Sequence, residues 1–195
     1  MGFRLPSMSR REGEGAARGF DVVPMRRRHL RAVVAIEQAI FPSPWSASLY
    51  LSELGQGSTR AYFVARCDGV VIGYAGLMLA VGEGHVTTIG VSQPWQRRGV
   101  GRMLLTKVAR AAIERGAEAL TLEVRVSNTG AQSLYHEFGF APAGIRKNYY
   151  AEVHEDAIIM WAHGVQSAQY AERLDSIEKR LRPGSSPWVG GGGPP

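Results

Sequence analysis

Residues 88–110, TIGVSQPWQRRGVGRMLLTKVAR, constrain the fold more than any other stretch of this 195-residue chain. An apolar, β-branched segment leads into a basic turn with Gly99 and Gly101, and a helical pattern of apolar residues follows. Those apolar residues are Val100, Met103, Leu104, Val108, Ala111 and Ala112. Gly116 lies just past the pattern, where a C-cap glycine belongs. We therefore predict a strand, a glycine turn and a helix, with the helix packed on a sheet.

The segments around this unit also alternate between strand and helix patterns. FPSPW interrupts a helical pattern because its two prolines restrict the backbone, and Asp68-Gly69 is a typical hairpin turn. The predicted order is strand, two helices, three strands, helix, strand, helix and two strands. This order predicts a mixed sheet flanked by helices rather than a strictly alternating, doubly wound fold.

The two ends of the chain have a different composition. Residues 1–19 are rich in glycine and arginine, and residues 183–195 form a Pro/Gly tail, so we expect disorder in both. Between the domain at 20–163 and that tail, residues 164–182 have an amphipathic helical stripe. This helix could pack on the domain, pack on a partner, or form only transiently. The stripe consists of Tyr170, Leu174, Ile177 and Leu181.

Charge and cysteine content narrow the possible partners. The net charge of +6 favours a polyanion, which could be nucleic acid, the ribosome surface or a phosphorylated cofactor. Cys67 is the only cysteine, so an internal disulfide and a cysteine-rich zinc site are excluded. His29, His154 and His163 lack the spacing of metal ligands, so we predict no metal.

No targeting or membrane segment is evident in the sequence. No apolar run approaches the ~20 residues that a membrane-spanning helix needs. The arginines near the N-terminus are not followed by the apolar stretch of a secretory signal. We therefore expect a cytoplasmic protein without a membrane partner.

The glycine turn is suited to an anion. Backbone N–H groups at a helix start have no intrahelical partner, and the helix dipole adds positive charge, so a phosphate could bind there. Arg97, Arg98 and Arg102 surround the turn, although two glycines could equally serve only a tight turn. Two nucleotide motifs do not fit. The P-loop requires Lys-Ser/Thr after its last glycine, and the dinucleotide fingerprint requires glycine where Leu104 stands.

The segment QRRGVG, residues 96–101, resembles the Q/R-x-x-G-x-G/A signature of the GNAT acetyltransferases. The stretches FPSPWS, LEVRVSNTGAQSLYHEFGF, RKNYY and EDAIIM follow in the order and spacing of that family. The resemblance covers roughly residues 20–163, and it is strongest to the members that acetylate the N-terminal alanine of ribosomal proteins. It implies the GNAT fold, an α/β (α+β) architecture with a mixed central β-sheet flanked by helices on both faces.

The resemblance also implies a cofactor, acetyl-CoA, and the residues that bind it. The glycine turn would hold the pyrophosphate, one edge of the preceding strand would bind the pantetheine arm, and Asn128 would lie near the cofactor. The turn residues are Gln96, Arg97, Arg98, Gly99, Val100, Gly101 and Arg102, and the strand residues are Ile89, Gly90 and Val91.

Acetyl transfer to an amine requires a proton acceptor for the amine and a proton donor for the leaving thiolate. Glu123, charged within an apolar alternation, is the candidate base, and Tyr135 is the candidate acid at the family's position. A solvent-facing strand glutamate and a core aromatic are the alternatives. Backbone N–H groups near Val91 would polarise the thioester carbonyl. Transfer should be direct, without an acetylated Cys67.

The residues for the acetyl acceptor are less specific. Trp45, Tyr149 and Tyr150 could form a slot for a small first residue, although ordinary packing would also explain them. Glu83 and His85 could attract a cationic N-terminus, or could simply be polar surface residues. The expected partner is the N-terminus of a protein, most specifically a ribosomal protein.

Two other functions remain open. A GNAT enzyme could act on a small amine such as a polyamine or an antibiotic amino group. The basic charge could instead indicate a nucleic-acid or ribosome binder with a decayed active site. The presence of Glu123, Tyr135 and QRRGVG argues against decay, and we expect no specific nucleic-acid binding.

Overall fold

The computed structural model describes residues 20–181, so the arm at 1–19 and the tail at 183–195 lie outside the described residues. The elements occur in the predicted order. They are β1 Phe20–Pro24, α1 Leu30–Ile40, α2 Ala47–Leu54, β2 Arg60–Cys67, β3 Val70–Ala80, β4 Glu83–Val91, α3 Val100–Glu114, β5 Ala119–Arg125, α4 Thr129–Glu137, β6 Ala141–Tyr150, β7 Glu155–His163 and α5 Ala168–Leu181.

The strands form one seven-stranded sheet in the order β1-β2-β3-β4-β5-β7-β6. All neighbouring pairs are antiparallel except β4 and β5, which are parallel. A parallel pair needs a crossover connection, and α3 supplies it between these two strands. The predicted mixed sheet is therefore confirmed.

Helices cover both faces of the sheet, as predicted. Because successive side chains of a strand point to opposite faces, β2 contributes to two cores. Phe63 and Ala65 belong to a core with α3, α4 and α5, whereas Tyr62 and Val64 belong to a core with α1 and α2. Cys67 lies at the end of β2 and is buried in the first core.

The hairpin turn and the glycine after α3 form as the sequence predicts, and a serine caps α2. Asp68 and Gly69 both have positive φ, 49° and 82°, which is the geometry of a two-residue hairpin turn. The Ser46 hydroxyl accepts a hydrogen bond from Leu49 N at 3.2 Å and caps α2. Gly116 ends the α3 segment with φ of 82°.

The parallel pair β4–β5 separates after only three residue pairs. Residues 83–85 pair with 119–121, and the rest of each strand diverges. On its other side, β4 carries a bulge, because Gly76 pairs with Thr88 and Leu77 with Val86, which leaves Thr87 as an extra residue. A bulge bends a strand and is common next to active sites. A wedge-shaped gap opens between β4 and β5.

The amphipathic helix α5 packs on the domain. Its apolar stripe of Tyr170, Leu174 and Ile177 is buried in the core that contains α3. Arg110 of α3 pairs with Asp175 and, at 3.0 Å, with Glu178. Within residues 20–181, no helix is both long and apolar enough to cross a membrane. The same residues contain no group of three or more His, Cys, Asp or Glu side chains that could hold a metal ion.

Candidate active site

A cleft of about 470 Å³ opens where β4 and β5 separate. Its size is within the range of pockets that bind small molecules, about 300–1,000 Å³. Most of the residues predicted from the sequence line this one cleft. They are Trp45, Ile89, Val91, Gln96, Arg97, Gly101, Glu123, Asn128, Tyr135, Tyr149 and Tyr150.

The glycine turn has the backbone of an anion-binding concavity. Arg97 has φ of 60° and Gly99, the N-cap of α3, has φ of 80°. Left-handed residues at a turn let successive N–H groups converge on an anion, and the α3 dipole adds to the attraction. The Gln96 side chain donates to Val91 O at 3.0 Å, which ties the turn to the end of β4. The residues present therefore fit a phosphate.

Close packing at Gly101 leaves little room for a larger side chain. A Cβ at this position would lie 3.2 Å from Leu134 Cδ2 of α4, so a larger side chain would extend into the cleft or displace α4. The α4 end of the cleft is set by Asn128, whose side-chain oxygen accepts from Ala131 N at 3.1 Å. This oxygen caps α4, and Asn128 also lines the cleft.

Five predicted cofactor residues do not line the cleft. Val100 is buried in the core, and Gly90 makes room for the Tyr74 ring, which would lie 2.6 Å from a Cβ. The Arg98 guanidinium lies 5.4 Å from the Trp95 ring centroid. The remaining two are Gly99 and Arg102, and Arg102 Nε donates to Glu137 Oε2 at 2.7 Å.

Glu123 lies on β5 at the start of the gap, and its side chain is 8% exposed. His85 Nε2 lies 3.2 Å from one carboxylate oxygen, and Arg146 Nη2 lies 3.2 Å from the other. The carboxylate therefore faces the cleft between a histidine and an arginine, and it is not the solvent-facing strand residue of the alternative interpretation.

His85, which the sequence left open as a polar surface residue, lines the cleft. Its side chain is 24% exposed, and burial lowers its pKa below the ordinary value. Glu123 and Glu83 oppose this shift, and Arg146 adds to it. At neutral pH, an uncharged imidazole thus lies beside Glu123.

Tyr135 of α4 lines the cleft and is 5% exposed. Burial raises the pKa of its phenol, and Tyr150 contributes further. The phenol is therefore protonated at neutral pH and can act as a proton donor. The ring also packs against Phe140 at 5.9 Å, so core packing and a cleft position coexist at this residue.

Sequence reasoning also missed Glu37, a carboxylate of α1 that is only 2% exposed. It accepts hydrogen bonds from Tyr50 OH at 2.8 Å, from Trp45 N at 3.1 Å, and from Tyr74 OH. Tyr74 lies beneath Gly90 of β4. Glu37 thus joins the FPSPW loop to the strand that borders the cleft.

Two loops border the open end of the cleft and contact each other. Ser43 Oγ donates to Glu152 Oε1 at 3.2 Å, across 109 positions of the chain. The Tyr149 and Tyr150 rings meet edge to face, with centroids 5.2 Å apart. Trp45 from the other loop packs on Tyr50. An extended segment entering here would pass between aromatic walls.

The chain belongs to the GNAT acetyltransferase family. The model of the acetyltransferase (GNAT) family matches residues 30–140, from the start of α1 to the residue before β6. Members of this family use acetyl-CoA as the acetyl donor. The glycine turn and the separated strands lie within the matched segment.

Two individual relatives share more than 30% of their aligned residues with the chain. A Salmonella typhimurium protein named ribosomal protein bS18-alanine N-acetyltransferase is 39% identical over 133 residues, which cover 67% of this chain and 88% of the relative. The crystal structure of the ribosomal-protein-S18-alanine N-acetyltransferase from Escherichia coli is 34% identical, with a TM-score of 0.68, and covers 75% of this chain and 94% of that one. The predicted GNAT fold is confirmed.

A more distant structure shares the fold alone. Arabidopsis thaliana Naa50 in complex with the bisubstrate analogue CoA-Ac-MVNAL is 20% identical to the chain, with a TM-score of 0.64. The match covers 73% of this chain and 97% of that one.

Proposed function

We propose that the chain transfers the acetyl group of acetyl-CoA to the α-amine of an N-terminal alanine, most specifically that of a small-subunit ribosomal protein, in the cytoplasm. One observation carries the proposal: a carboxylate on β5 and a phenol on α4 line the same cleft as the glycine turn. The cleft therefore combines a proton acceptor, a proton donor and an anion-binding turn, which acetyl transfer from a diphosphate-containing donor requires.

In the proposed reaction, Glu123 accepts a proton from the substrate ammonium, either directly or through one water. The neutral amine nitrogen then forms a bond to the thioester carbonyl carbon, and the C–S bond breaks. Tyr135 donates its phenolic proton to the departing thiolate, and the second proton of the attacking nitrogen passes through water to the phenolate, which leaves a neutral amide and a protonated Tyr135. No covalent acetyl-enzyme is involved, and Cys67, buried at the end of β2, does not line the cleft.

The donor would bind along the open edge of β4. Beyond His85, the side of β4 that faces β5 has no strand partner among the described residues, so its main-chain groups can bond to the pantetheine amides. The diphosphate would occupy the turn at residues 96–102. Backbone N–H groups near Val91 would stabilise the developing negative charge on the carbonyl oxygen.

The acceptor would enter between the loops that carry Trp45 and the tyrosines 149 and 150. The named activity of the Salmonella and Escherichia coli relatives supports an N-terminal alanine.

The function is tested by acetyl-CoA turnover with short peptides that differ only at residue one, including ribosomal N-termini, against polyamines and aminoglycosides. We expect the highest kcat/KM for an alanine-starting ribosomal peptide. Preference for a small amine would instead indicate the alternative GNAT activity. Salt-dependent RNA binding without acetyl-CoA turnover would indicate a nucleic-acid-binding function.

Gly101→Trp should raise the KM for acetyl-CoA at least about tenfold, because the new side chain fills the approach to the turn or displaces Leu134. The matched control is Gly57→Trp, since a Cβ at Gly57 has no neighbour within 4 Å. KM for acetyl-CoA and the melting temperature are measured for the wild type, Gly101→Trp and Gly57→Trp. An unchanged KM in a folded Gly101→Trp protein would remove the turn from the cofactor site.

His85→Gln should change the acid side of the pH profile. Above the lowered pKa of His85, log kcat/KM of the wild type should be nearly level, because Glu123 takes the proton of the substrate ammonium. Below that pKa it should fall with a slope of one, because the imidazolium then pairs with Glu123 and repels the substrate ammonium. His85→Gln should not show this fall.

The control for this change is His163→Gln, because His163 stacks on Trp161 and does not line the cleft. Its profile should follow that of the wild type. The assigned role of His85 is wrong if kcat/KM of His85→Gln falls over the same pH range as that of the wild type.

A further inference from the structure

Helix α5 lies outside the segment matched by the family model, and nothing in the proposed chemistry uses it. Its apolar stripe packs on the core that contains α3, and its C-terminal end reaches the N-terminal end of α3. That end of α3 carries the glycine turn. The position of α5 therefore connects a segment beyond the family domain to the candidate cofactor site.

The first contact at this junction is apolar. Leu181 Cδ2 lies 3.2 Å from where a Cβ of Gly99 would stand, and Leu181 packs against the core. Gly99 is the N-cap of α3 and holds a left-handed conformation. A side chain packed on this residue limits the movement of the turn.

The second contact is electrostatic and involves three helices. Glu137 of α4 bonds to Arg102 of α3 at 2.7 Å and to Arg180 of α5 at 2.8 Å. Arg173 of α5 also donates to the main-chain oxygen of Glu137, at 3.3 Å. Two guanidinium groups, those of Arg102 and Arg180, thus share one carboxylate, which leaves one positive charge in excess among these three side chains.

We propose that the last turn of α5 is part of the acetyl-CoA site, an inference that rests on the function proposed above. Leu181 holds Gly99 in the conformation that binds the diphosphate. Arg180, together with Arg102, supplies positive charge for the phosphate on the ribose of the cofactor. Acetyl-CoA carries this additional phosphate next to its diphosphate, and the uncompensated charge lies next to the turn.

The test is calorimetric binding of CoA and of 3′-dephospho-CoA to the full chain. Arg180→Gln should weaken CoA binding about fivefold, as expected for a partly exposed charged contact, and leave 3′-dephospho-CoA binding unchanged. The matched control is Lys179→Gln, the same charge change at the neighbouring exposed position. The control should bind both ligands as the wild type does.

A second variant separates the two contacts. Leu181→Ala should weaken both ligands by the same factor, because it acts through the turn rather than through the ribose phosphate. For both variants, kcat at saturating acetyl-CoA should be unchanged, and the effect should appear in KM.

The possible failures are distinguishable. Wild-type affinities in both Arg180→Gln and Leu181→Ala would overturn the role of α5, and so would an Arg180→Gln loss that is equal for the two ligands. If the wild-type chain itself does not bind CoA, the proposed function fails as well.

Discussion

Glu123→Gln should lower kcat by about 10²–10⁴-fold, the usual effect of removing a general base. The amide keeps the shape of the side chain beside His85 and Arg146 but cannot accept the proton of the amine. The remaining activity should recover as the pH rises, because more of the substrate amine is then already neutral. The measurement is kcat against pH with an alanine-starting peptide.

The control for this variant is Glu118→Gln. Glu118 is an exposed glutamate just before β5, outside the cleft, and its loss changes the net charge equally. Its kcat should match the wild type. A near-normal rate for Glu123→Gln would mean that the substrate amine loses its proton elsewhere.

Tyr135→Phe should slow turnover by a comparable factor, about 10²–10⁴-fold, without recovery at high pH. The phenylalanine keeps the packing against Phe140 and removes only the proton donor. Because burial raises the pKa of this phenol, the wild-type residue stays protonated across the neutral range. The substrate amine does not replace it in protonating the thiolate.

Tyr170→Phe is the matched control for this substitution. Tyr170 is also 5% exposed, and its buried hydroxyl has no hydrogen-bond partner within residues 20–181. Its removal should not reduce kcat. Parallel pH profiles for Glu123→Gln and Tyr135→Phe would contradict the division of roles between base and acid.

The order of the helices and strands could be predicted because its signals are local. The hairpin at Asp68-Gly69, the cap at Ser46 and the apolar stripe of α5 each depend on a few neighbouring residues. The short β4–β5 pairing could not be predicted in this way. It depends on register between strands that are about 36 residues apart, and on the bulge at Thr87.

The same distinction applies to the site. Glu123, Tyr135 and the glycine turn stand in recognisable motifs, whereas Glu37 and His85 acquire their surroundings from distant segments. For both residues, the sequence nevertheless contains a signal of their position. Glu37 follows Val33 by four residues on the buried stripe of α1, and His85 lies between Gly84 and Val86 of β4, which both face the α3 core, so that its side chain points to the opposite face.

The gap between β4 and β5 makes the stability of the folded protein depend on the concentration of its co-substrate. A molecule that occupies an open strand edge only in the folded state shifts the unfolding equilibrium by mass action. At a free concentration 100 times its Kd, that shift is about 2.7 kcal/mol. Molecules of this enzyme with an unoccupied cleft would then unfold, and be degraded, more often than occupied ones, so its abundance would follow the acetyl-CoA concentration in the cell.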